Sequence, residues 1–230
     1  MKLRIVRPSV LVDIGRLELG GVRLDENALR VGALATWSEL ESAPELEWPP
    51  FAAIAECAAA IGDLQVRNRG TLGGSLAHAD PASDMPAVAL ALGAQLVLRA
   101  AGAERALSAA ELFLGPFTTA LGPGELITEV IFPLVEGSGS AYAKVEHPAS
   151  GFALAGAAAH VTAEGKQRVA VTGIGAHPFL LSADANPLDA LEEAEIYGDR
   201  FAPAEYRRHL AGVVAHRALD RARERMDKAR

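Results

Sequence analysis

The sequence predicts a protein of mixed helix and sheet that is divided into two parts. The run "VRLDENALRVGA" places the turn residues at 25–27 between two strand-like stretches, which indicates a β-hairpin near the start. An alanine-rich run follows the proline pair at 49–50 and has the length and composition of a buried helix. New strand patterns begin after residue 140 and point to a second, separate sheet.

The other elements of the first part follow from local signals. The apolar run "VLVDIG" at 10–15 predicts a short buried strand. Thr36 and Glu39 have the spacing of a capping box and predict a helix start. Ser83 or Asp84 can cap a further helix, because a proline stands in its expected first turn. Two more strands are predicted, at "AQLVLRA" and "ELITEVIFP".

The second part is predicted to be a small sheet with helices. The stretch "VEGSGS" at 135–140 is small and flexible, so we divide the chain into residues 1–135 and 136–230. Alanines recur at three- and four-residue spacing from Pro203 onward and predict a final amphipathic helix. The second part then holds a three-stranded antiparallel sheet with strands at 142–145, 153–162 and 169–173.

Composition and charge exclude several classes of function. The formal net charge of -7 argues against binding nucleic acid through a broad basic surface. The only cysteine is Cys57, so this chain alone can form no disulfide and hold no iron–sulfur cluster. We therefore expect a reducing, cytoplasmic location. No apolar run reaches the roughly 18 residues of a membrane span, so we expect no membrane-spanning helix.

The stretch with the most chemistry is "VRNRGTLGGSLAHADPASD", residues 66–84. Gly70, Gly73 and Gly74 can take up positive φ and let consecutive N–H groups converge on an anion, with Thr71 and Ser75 adding hydroxyl donors. A diphosphate suits such a site, because charge-assisted hydrogen bonds to N–H groups need no basic side chain. The pattern is neither a P-loop nor G-x-G-x-x-G, so a plain structural turn is an equally good interpretation.

Other polar residues have weaker patterns. His78, Asp80 and Asp84 could ligate a metal, but the neighbouring proline and the expected helix cap give them local roles, which we favour. His160 lies in an apolar strand and is interpreted as a satisfied core or interface residue. Lys144 stands on a strand just after the proposed boundary, where it could reach across the junction or simply lie on the strand surface.

Together these residues resemble a known family. "VRNRGTLGGSLAHADPASDMPAVALALGAQLVL" is similar to the second flavin-binding segment of the FAD-binding medium subunits of molybdenum hydroxylases, the carbon monoxide dehydrogenase and xanthine dehydrogenase type. The resemblance covers most of the chain in order. It extends to "MKLRIVRPSVLVDIGRL", "LRVGALATWSEL", "GELITEVIFP", "YAKVEHPASGFALAGAAAHV" and "AEYRRHLAGVVAHRAL".

The resemblance implies a fold and a set of site residues. Residues 1–135 would have the α+β FAD-binding fold shared with vanillyl-alcohol oxidase and the cell-wall enolpyruvyl reductase, and residues 136–230 the flavoprotein C-terminal domain. The family's site residues, carried over by position, fall into three groups. Contacts to the FAD diphosphate would come from Thr71, Gly73, Gly74 and Ser75. Asp84 would hold the nucleotide portion, and Ile127 and Lys144 would lie near the flavin and the domain junction.

The chain also departs from the family. A βαβ segment with a first glycine-rich loop, A-G-G-x-S-L, precedes the family's counterpart of Met1. We expect either that the true start lies upstream of Met1 or that the fold lacks this N-terminal segment. The stretch between His177 and Tyr206 is also shorter than the family's usual helical insertion there.

The implied function is electron transfer through FAD in an oxidoreductase complex. The partners would be a large subunit that holds the molybdenum cofactor and a small subunit that holds 2Fe-2S clusters, which makes a hetero-oligomer. No catalytic triad is expected, because the cofactor carries the chemistry. Two alternatives stay open: a flavin-free structural remnant, and a free-standing FAD reductase of the same superfold.

Overall fold

The computed structural model describes residues 9–181 and 189–229 and contains two main antiparallel sheets. The first sheet has five strands in the order β1-β2-β7-β3-β4. These strands are β1 Val22–Leu24, β2 Ala28–Gly32, β3 Gln95–Ala100, β4 Ala103–Ser108 and β7 Leu126–Pro133. A small separate hairpin joins β5 Phe113–Gly115 and β6 Thr118–Thr119. All four of the strands predicted here between residues 22 and 133 are present.

The predicted hairpin is confirmed between β1 and β2. Its turn is held by Asp25, whose carboxylate accepts the N–H groups of Asn27 at 3.0 Å and Ala28 at 2.9 Å. Along β2, Leu29 and Val31 are fully buried and alternate with more exposed residues. Because side chains alternate between the two faces of a strand, Leu29 and Val31 lie on the same face of the sheet, the one that the helices cover.

Helices cover the inner face of the first sheet. The Thr36 capping box is confirmed, since its side chain and that of Glu39 bond reciprocally across the start of the first helix. The alanine-rich buried helix is also confirmed. In chain order the helices are α1 Trp37–Ser42, α2 Ala52–Ala60, α3 Leu64–Arg67, α4 Leu72–His78, α5 Met85–Ala91 and α6 Ala109–Leu112, with a 3-10 turn at Pro44–Glu47.

The second sheet has four strands rather than three, in the order β11-β10-β9-β8. The three predicted strands are present. The fourth strand pairs with β10 and forms one edge of the sheet. It is only three residues long, and so short a segment has no hydrophobic pattern that predicts a strand. The strands are β8 Gly139–Glu146, β9 Ala153–Val161, β10 Gln167–Thr172 and β11 Phe179–Leu181.

Helices lie on both faces of the second sheet. Ala157 and Ala159 on β9 pack with α8 Ala204–Lys228, whereas Ala158 between them belongs to the core of the first sheet. Helix α5 contacts β9 and β10 from that opposite face. A short helix α7 Asp189–Glu193 packs beside α8. The alanine-rich strand lets both helices approach closely, because its side chains are small.

One predicted element is wrong. Residues 10–15 form no strand, and Val10, Leu11 and Val12 are 73%, 71% and 74% exposed. None of the described strands pairs with this stretch, so its backbone lacks the ladder that stabilises an extended segment. A short apolar run forms a strand only where a neighbouring strand is available to pair with it.

A cluster of charges fastens α8 to α2. Glu56 Oε1 on α2 lies 3.0 Å from the Arg221 guanidinium and 2.6 Å from that of Arg225. Its other oxygen accepts the N–H of Tyr142 at 2.8 Å. The predicted boundary at 135/136 falls in the turn between β7 and β8, and the division into two domains stays a prediction. No helix within residues 9–181 and 189–229 is long and apolar enough to cross a membrane.

Candidate functional site

A cleft of about 460 Å³ lies where the two sheets' connecting segments meet. Trp37 and residues 61–84 form one side of it. Residues 150–152, in the turn between β8 and β9, form the other side. The glycine-rich stretch singled out in the sequence therefore lies in the wall of a cleft.

Gly70 is required by a close approach to Trp37. A Cβ at Gly70 would lie 2.5 Å from the indole Nε1, so any larger residue would displace the ring. The same region is joined by backbone hydrogen bonds, from Trp37 N–H to the Gly70 carbonyl at 3.2 Å and from Leu72 N–H to Ala35 at 3.0 Å. Trp37 is thereby held as a lining residue of the cleft.

Gly73 and Gly74 occupy the first turn of α4 and differ in their surroundings. Gly73 is buried, and a Cβ there would lie 2.5 Å from the Ala33 Cβ, so this glycine allows α4 to pack on the first sheet. Gly74 is exposed to the cleft, where a Cβ would meet only the Thr71 hydroxyl at 2.8 Å. None of the three glycines has a positive φ, so that prediction is wrong. Close packing explains Gly70 and Gly73 instead.

The N–H groups of this turn are already engaged within the protein. Those of Leu72 and Gly73 donate to the carbonyls of Ala35 and Ala33, at 3.0 and 2.8 Å. Gly74 N–H donates to the Thr71 hydroxyl oxygen at 3.2 Å, and Ser75 N–H donates to the Thr71 carbonyl at 3.0 Å. The expected convergence of consecutive N–H groups on an anion is therefore not seen.

Side-chain donors remain on the cleft wall. Thr71 accepts a hydrogen bond at the start of α4 and keeps its own hydroxyl proton available. Ser75 and Ser83 share a hydrogen bond of 2.7 Å between their hydroxyl oxygens. Arg69 lines the same wall and is exposed. Hydroxyl and guanidinium donors are the groups that bind phosphate oxygens well.

A buried ionic cluster lies at the base of the cleft. Asp84 is 4% exposed, and its carboxylate accepts hydrogen bonds from the Tyr142 hydroxyl and from Lys144 Nζ, the latter at 3.1 Å. Burial raises the pKa of Asp84, and the Lys144 ammonium opposes that shift. Burial also raises the pKa of the Tyr142 phenol well above its ordinary value.

Lys144 connects this cluster to the opposite wall. Its Nζ donates a second hydrogen bond, of 2.8 Å, to the carbonyl of Gly151. The expectation that Asp84 caps a helix is met in position only, because its side chain bonds to Lys144 and Tyr142 instead of an N–H of α5. The lysine thus reaches across the junction, as one of its two interpretations predicted.

The segment "HADPASD" docks the first part of the chain on the second sheet. Gly173 N–H donates to the Pro81 carbonyl at 2.9 Å, and the Thr172 hydroxyl donates to the Ser83 carbonyl at 2.7 Å. Asp80 accepts the N–H of Ala82 at 2.9 Å. In the chain as described, no three His, Cys, Asp or Glu side chains are grouped so that they could hold a metal ion.

The structure separates the seven site residues named from sequence. Thr71, Gly74, Ser75 and Asp84 line the cleft together. Gly73 is buried where α4 approaches Ala33, and Lys144 lies behind Asp84. Ile127 lies on β7 opposite Leu98, is 7% exposed and belongs to the core on which α4 packs. Ile127 is not among the residues that line the cleft.

Several lining residues were not identified from sequence, among them Trp37, Arg69 and Phe152. The position of Arg69, directly before the glycine-rich turn, is a signal that could have identified it. Phe152 is distant in sequence and has no local signal, because only the fold brings the turn at 150–152 to the cleft.

A comparison with protein families matches residues 1–135 to the FAD binding domain in molybdopterin dehydrogenase. The medium chain of glyceraldehyde dehydrogenase from Sulfolobus acidocaldarius is 37% identical over 78% of this chain. That match spans 65% of the relative's own length. The medium chain of carbon monoxide dehydrogenase from Hydrogenophaga pseudoflava is 33% identical, with 96% of this chain and 84% of the relative covered.

Solved structures share the whole fold. A carbon monoxide dehydrogenase from Hydrogenophaga pseudoflava superposes with a TM-score of 0.89 at 32% identity, covering 98% of this chain and 85% of that one. Quinoline 2-oxidoreductase from Pseudomonas putida gives a TM-score of 0.86 at 27% identity, covering 98% and 86%. The similarity therefore runs through both sheets and is not confined to the glycine-rich turn.

Proposed function

The chain belongs to the FAD-binding medium subunits of molybdenum hydroxylases, and on that premise we propose that it transfers electrons in a three-subunit oxidoreductase complex. In this proposal a small subunit with 2Fe-2S clusters delivers the electrons, and a large subunit with the molybdenum cofactor oxidises the substrate. The relatives are named as medium chains of dehydrogenases, which supports a complex of this kind.

The residues of the cleft suit a flavin dinucleotide. The exposed Gly74 has no side chain to fill the cleft, and the hydroxyls of Thr71 and Ser75 stand beside it as donors. We assign these three residues to the diphosphate and Asp84 to the nucleotide portion. When bound, FAD supplies a carrier that exchanges electrons singly or in pairs, and the chain needs no nucleophile of its own.

Gly73, Ile127 and Lys144 are assigned supporting positions behind the wall. Gly73 lets α4 approach Ala33, and Ile127 lies in the core on which α4 rests. Lys144 holds Asp84 and the Gly151 carbonyl at the same time. Their contribution to cofactor binding is therefore to fix the positions of the residues that line the cleft.

One observation carries the proposal: the glycine-rich segment and the turn at 150–152 face each other across a single cleft. A site built from both parts of the chain explains why the similarity to the medium chains runs through both. The chain's single cysteine, Cys57, is buried and leaves any iron–sulfur cluster to a partner.

The test is isolation of the affinity-tagged full chain from its native host. We expect a complex with visible flavin absorption and with iron and molybdenum in fixed ratio to the chain. In that complex, chemical reduction of the clusters under anaerobic conditions should be followed by bleaching of the flavin absorption. A complex with metals but without flavin, or a flavin that stays oxidised beside reduced clusters, contradicts the proposal.

A further inference from the structure

The negative charge of a diphosphate requires donors or cations that have no other partner. The glycine-rich turn offers few of them, because the N–H groups of Leu72, Gly73, Gly74 and Ser75 are directed to protein acceptors. Within this turn, side chains are therefore the donors that remain for a phosphate group. The sequence alone suggested the opposite, that backbone donors would suffice.

Arg69 is placed to meet that need. It is the only lysine or arginine among the described residues that line the cleft. Its guanidinium is exposed and pairs with no carboxylate or carbonyl in the part of the chain that the structure describes. Arg67, two residues earlier, is different, since it lies 3.0 Å from Glu41 and donates to the Gly62 carbonyl at 3.1 Å.

The two carboxylates that line the cleft have partners other than Arg69. Asp84 pairs with Lys144 at 3.1 Å, and Asp80 accepts the N–H of Ala82 at 2.9 Å. The guanidinium of Arg69, which lines the same cleft as Thr71 and Ser75, is a forked donor whose geometry matches two phosphate oxygens at once. The net charge of -7 makes such a local cation more necessary, because the protein as a whole repels a dianion.

We propose that Arg69 is the specificity-determining residue of the cleft, which binds the diphosphate of FAD and so selects the dinucleotide over riboflavin. This inference rests on the proposed function. It assigns the residue a direct contact with the ligand, in contrast to the supporting positions of Gly73 and Lys144.

The experiment compares four forms of the full chain: unchanged, Arg69→Gln, Arg69→Lys and Arg217→Gln. Arg217 is an exposed arginine of α8 that does not line the cleft, so its replacement controls for the loss of one positive charge. Binding of FAD and of riboflavin to the flavin-free protein is measured by quenching of flavin fluorescence at low and high salt. Thermal unfolding without ligand checks that each variant folds.

Arg69→Gln should weaken FAD binding roughly 10- to 100-fold and flatten its salt dependence, since one charge-assisted contact is lost. Riboflavin binding and thermal unfolding should not change. Arg69→Lys should recover part of the affinity, and Arg217→Gln should bind FAD like the unchanged protein.

Two results overturn the inference, and they are distinguishable. If the unchanged chain binds FAD but Arg69→Gln binds it equally well with the same salt dependence, Arg69 does not contact the diphosphate. If the folded, unchanged chain binds no FAD at all, the proposed function fails and the inference fails with it.

Discussion

Lys144 Nζ lies 3.1 Å from Asp84 Oδ2, and both side chains are almost fully buried, at 6% and 5% exposure. The lysine comes from the second sheet and the aspartate from the start of α5. The same ammonium bonds to Gly151, so a single cation joins the base of the cleft to its far wall.

Replacing Lys144 by Met should therefore destabilise the protein by about 3–5 kcal/mol at neutral pH, because Asp84 would remain as a buried charge without its partner. Urea unfolding of Lys144→Met measures this loss. The loss should shrink as the pH is lowered, since burial already raises the pKa of Asp84 and the unpaired carboxylate will take up a proton.

The double variant Lys144→Met with Asp84→Asn is the control for this first prediction. It should lose clearly less stability than the sum of the two single variants, because no unpaired charge remains. Strictly additive losses would show that the ion pair contributes no coupling.

Gly73→Ala and Gly74→Ala should differ although the two glycines are adjacent. A Cβ at position 73 would meet the Ala33 Cβ at 2.5 Å and its carbonyl oxygen at 3.0 Å, so overpacking should cost about 1–3 kcal/mol. At position 74 only the Thr71 hydroxyl is close, and the change should stay within about 1 kcal/mol. Equal losses in chemical denaturation would contradict the packing explanation.

Glu56→Gln should loosen the attachment of α8 to α2. The neutral amide replaces a carboxylate that accepts from Arg221, Arg225 and the N–H of Tyr142, and we expect a loss of about 1–3 kcal/mol. Glu104→Gln is a matched control, because its partner Arg99 and Glu104 itself are more than half exposed. That change should cost less than about 1 kcal/mol in the same unfolding experiment.

His160 should make the stability depend on pH. Burial lowers its pKa from 6.5 to about 4, and its Nε2 is 2.9 Å from the Ser138 hydroxyl. In the unfolded chain His160 binds a proton below about pH 6.5, and in the folded chain only near pH 4. The contribution of His160 to the free energy of unfolding therefore falls as the pH drops between these values. Between pH 7 and pH 5 the loss should be about 2 kcal/mol.

His160→Gln removes this titration and keeps a polar group for Ser138. The difference in unfolding free energy between the unchanged protein and His160→Gln should therefore change by about 2 kcal/mol between pH 7 and pH 5. A difference that is constant from pH 7 to pH 5 would mean that His160 titrates normally in the folded protein. The interpretation of His160 as a satisfied core residue is confirmed by its burial and its bond.

The parts of the fold that could be predicted have local causes. A capping box needs only Thr36 and Glu39 at the right spacing, and the hairpin needs only its turn residues between two strand-like runs. The strand predicted at 10–15 fails because strand formation needs a partner that a local pattern does not reveal. The short β11 was missed for the same reason, since its pairing with β10 is what defines it.

The candidate site was predictable to a similar extent. The glycine-rich stretch marked the right segment, and four of its predicted residues line the cleft. The sequence suggested that these glycines serve an anion site, whereas in the structure Gly70 and Gly73 allow close packing against Trp37 and Ala33. Trp37 and Ala33 precede the glycines by more than thirty residues. No local pattern shows such contacts, nor the approach of Phe152 from the second sheet.

The cleft's two sides belong to stretches that are far apart in the chain, residues 61–84 and 150–152. Any molecule that fills it is a reversible cross-link between them. Its binding free energy adds to the free energy of unfolding, by an amount that grows with the logarithm of its concentration. The midpoint of thermal unfolding should therefore rise as the concentration of free ligand rises.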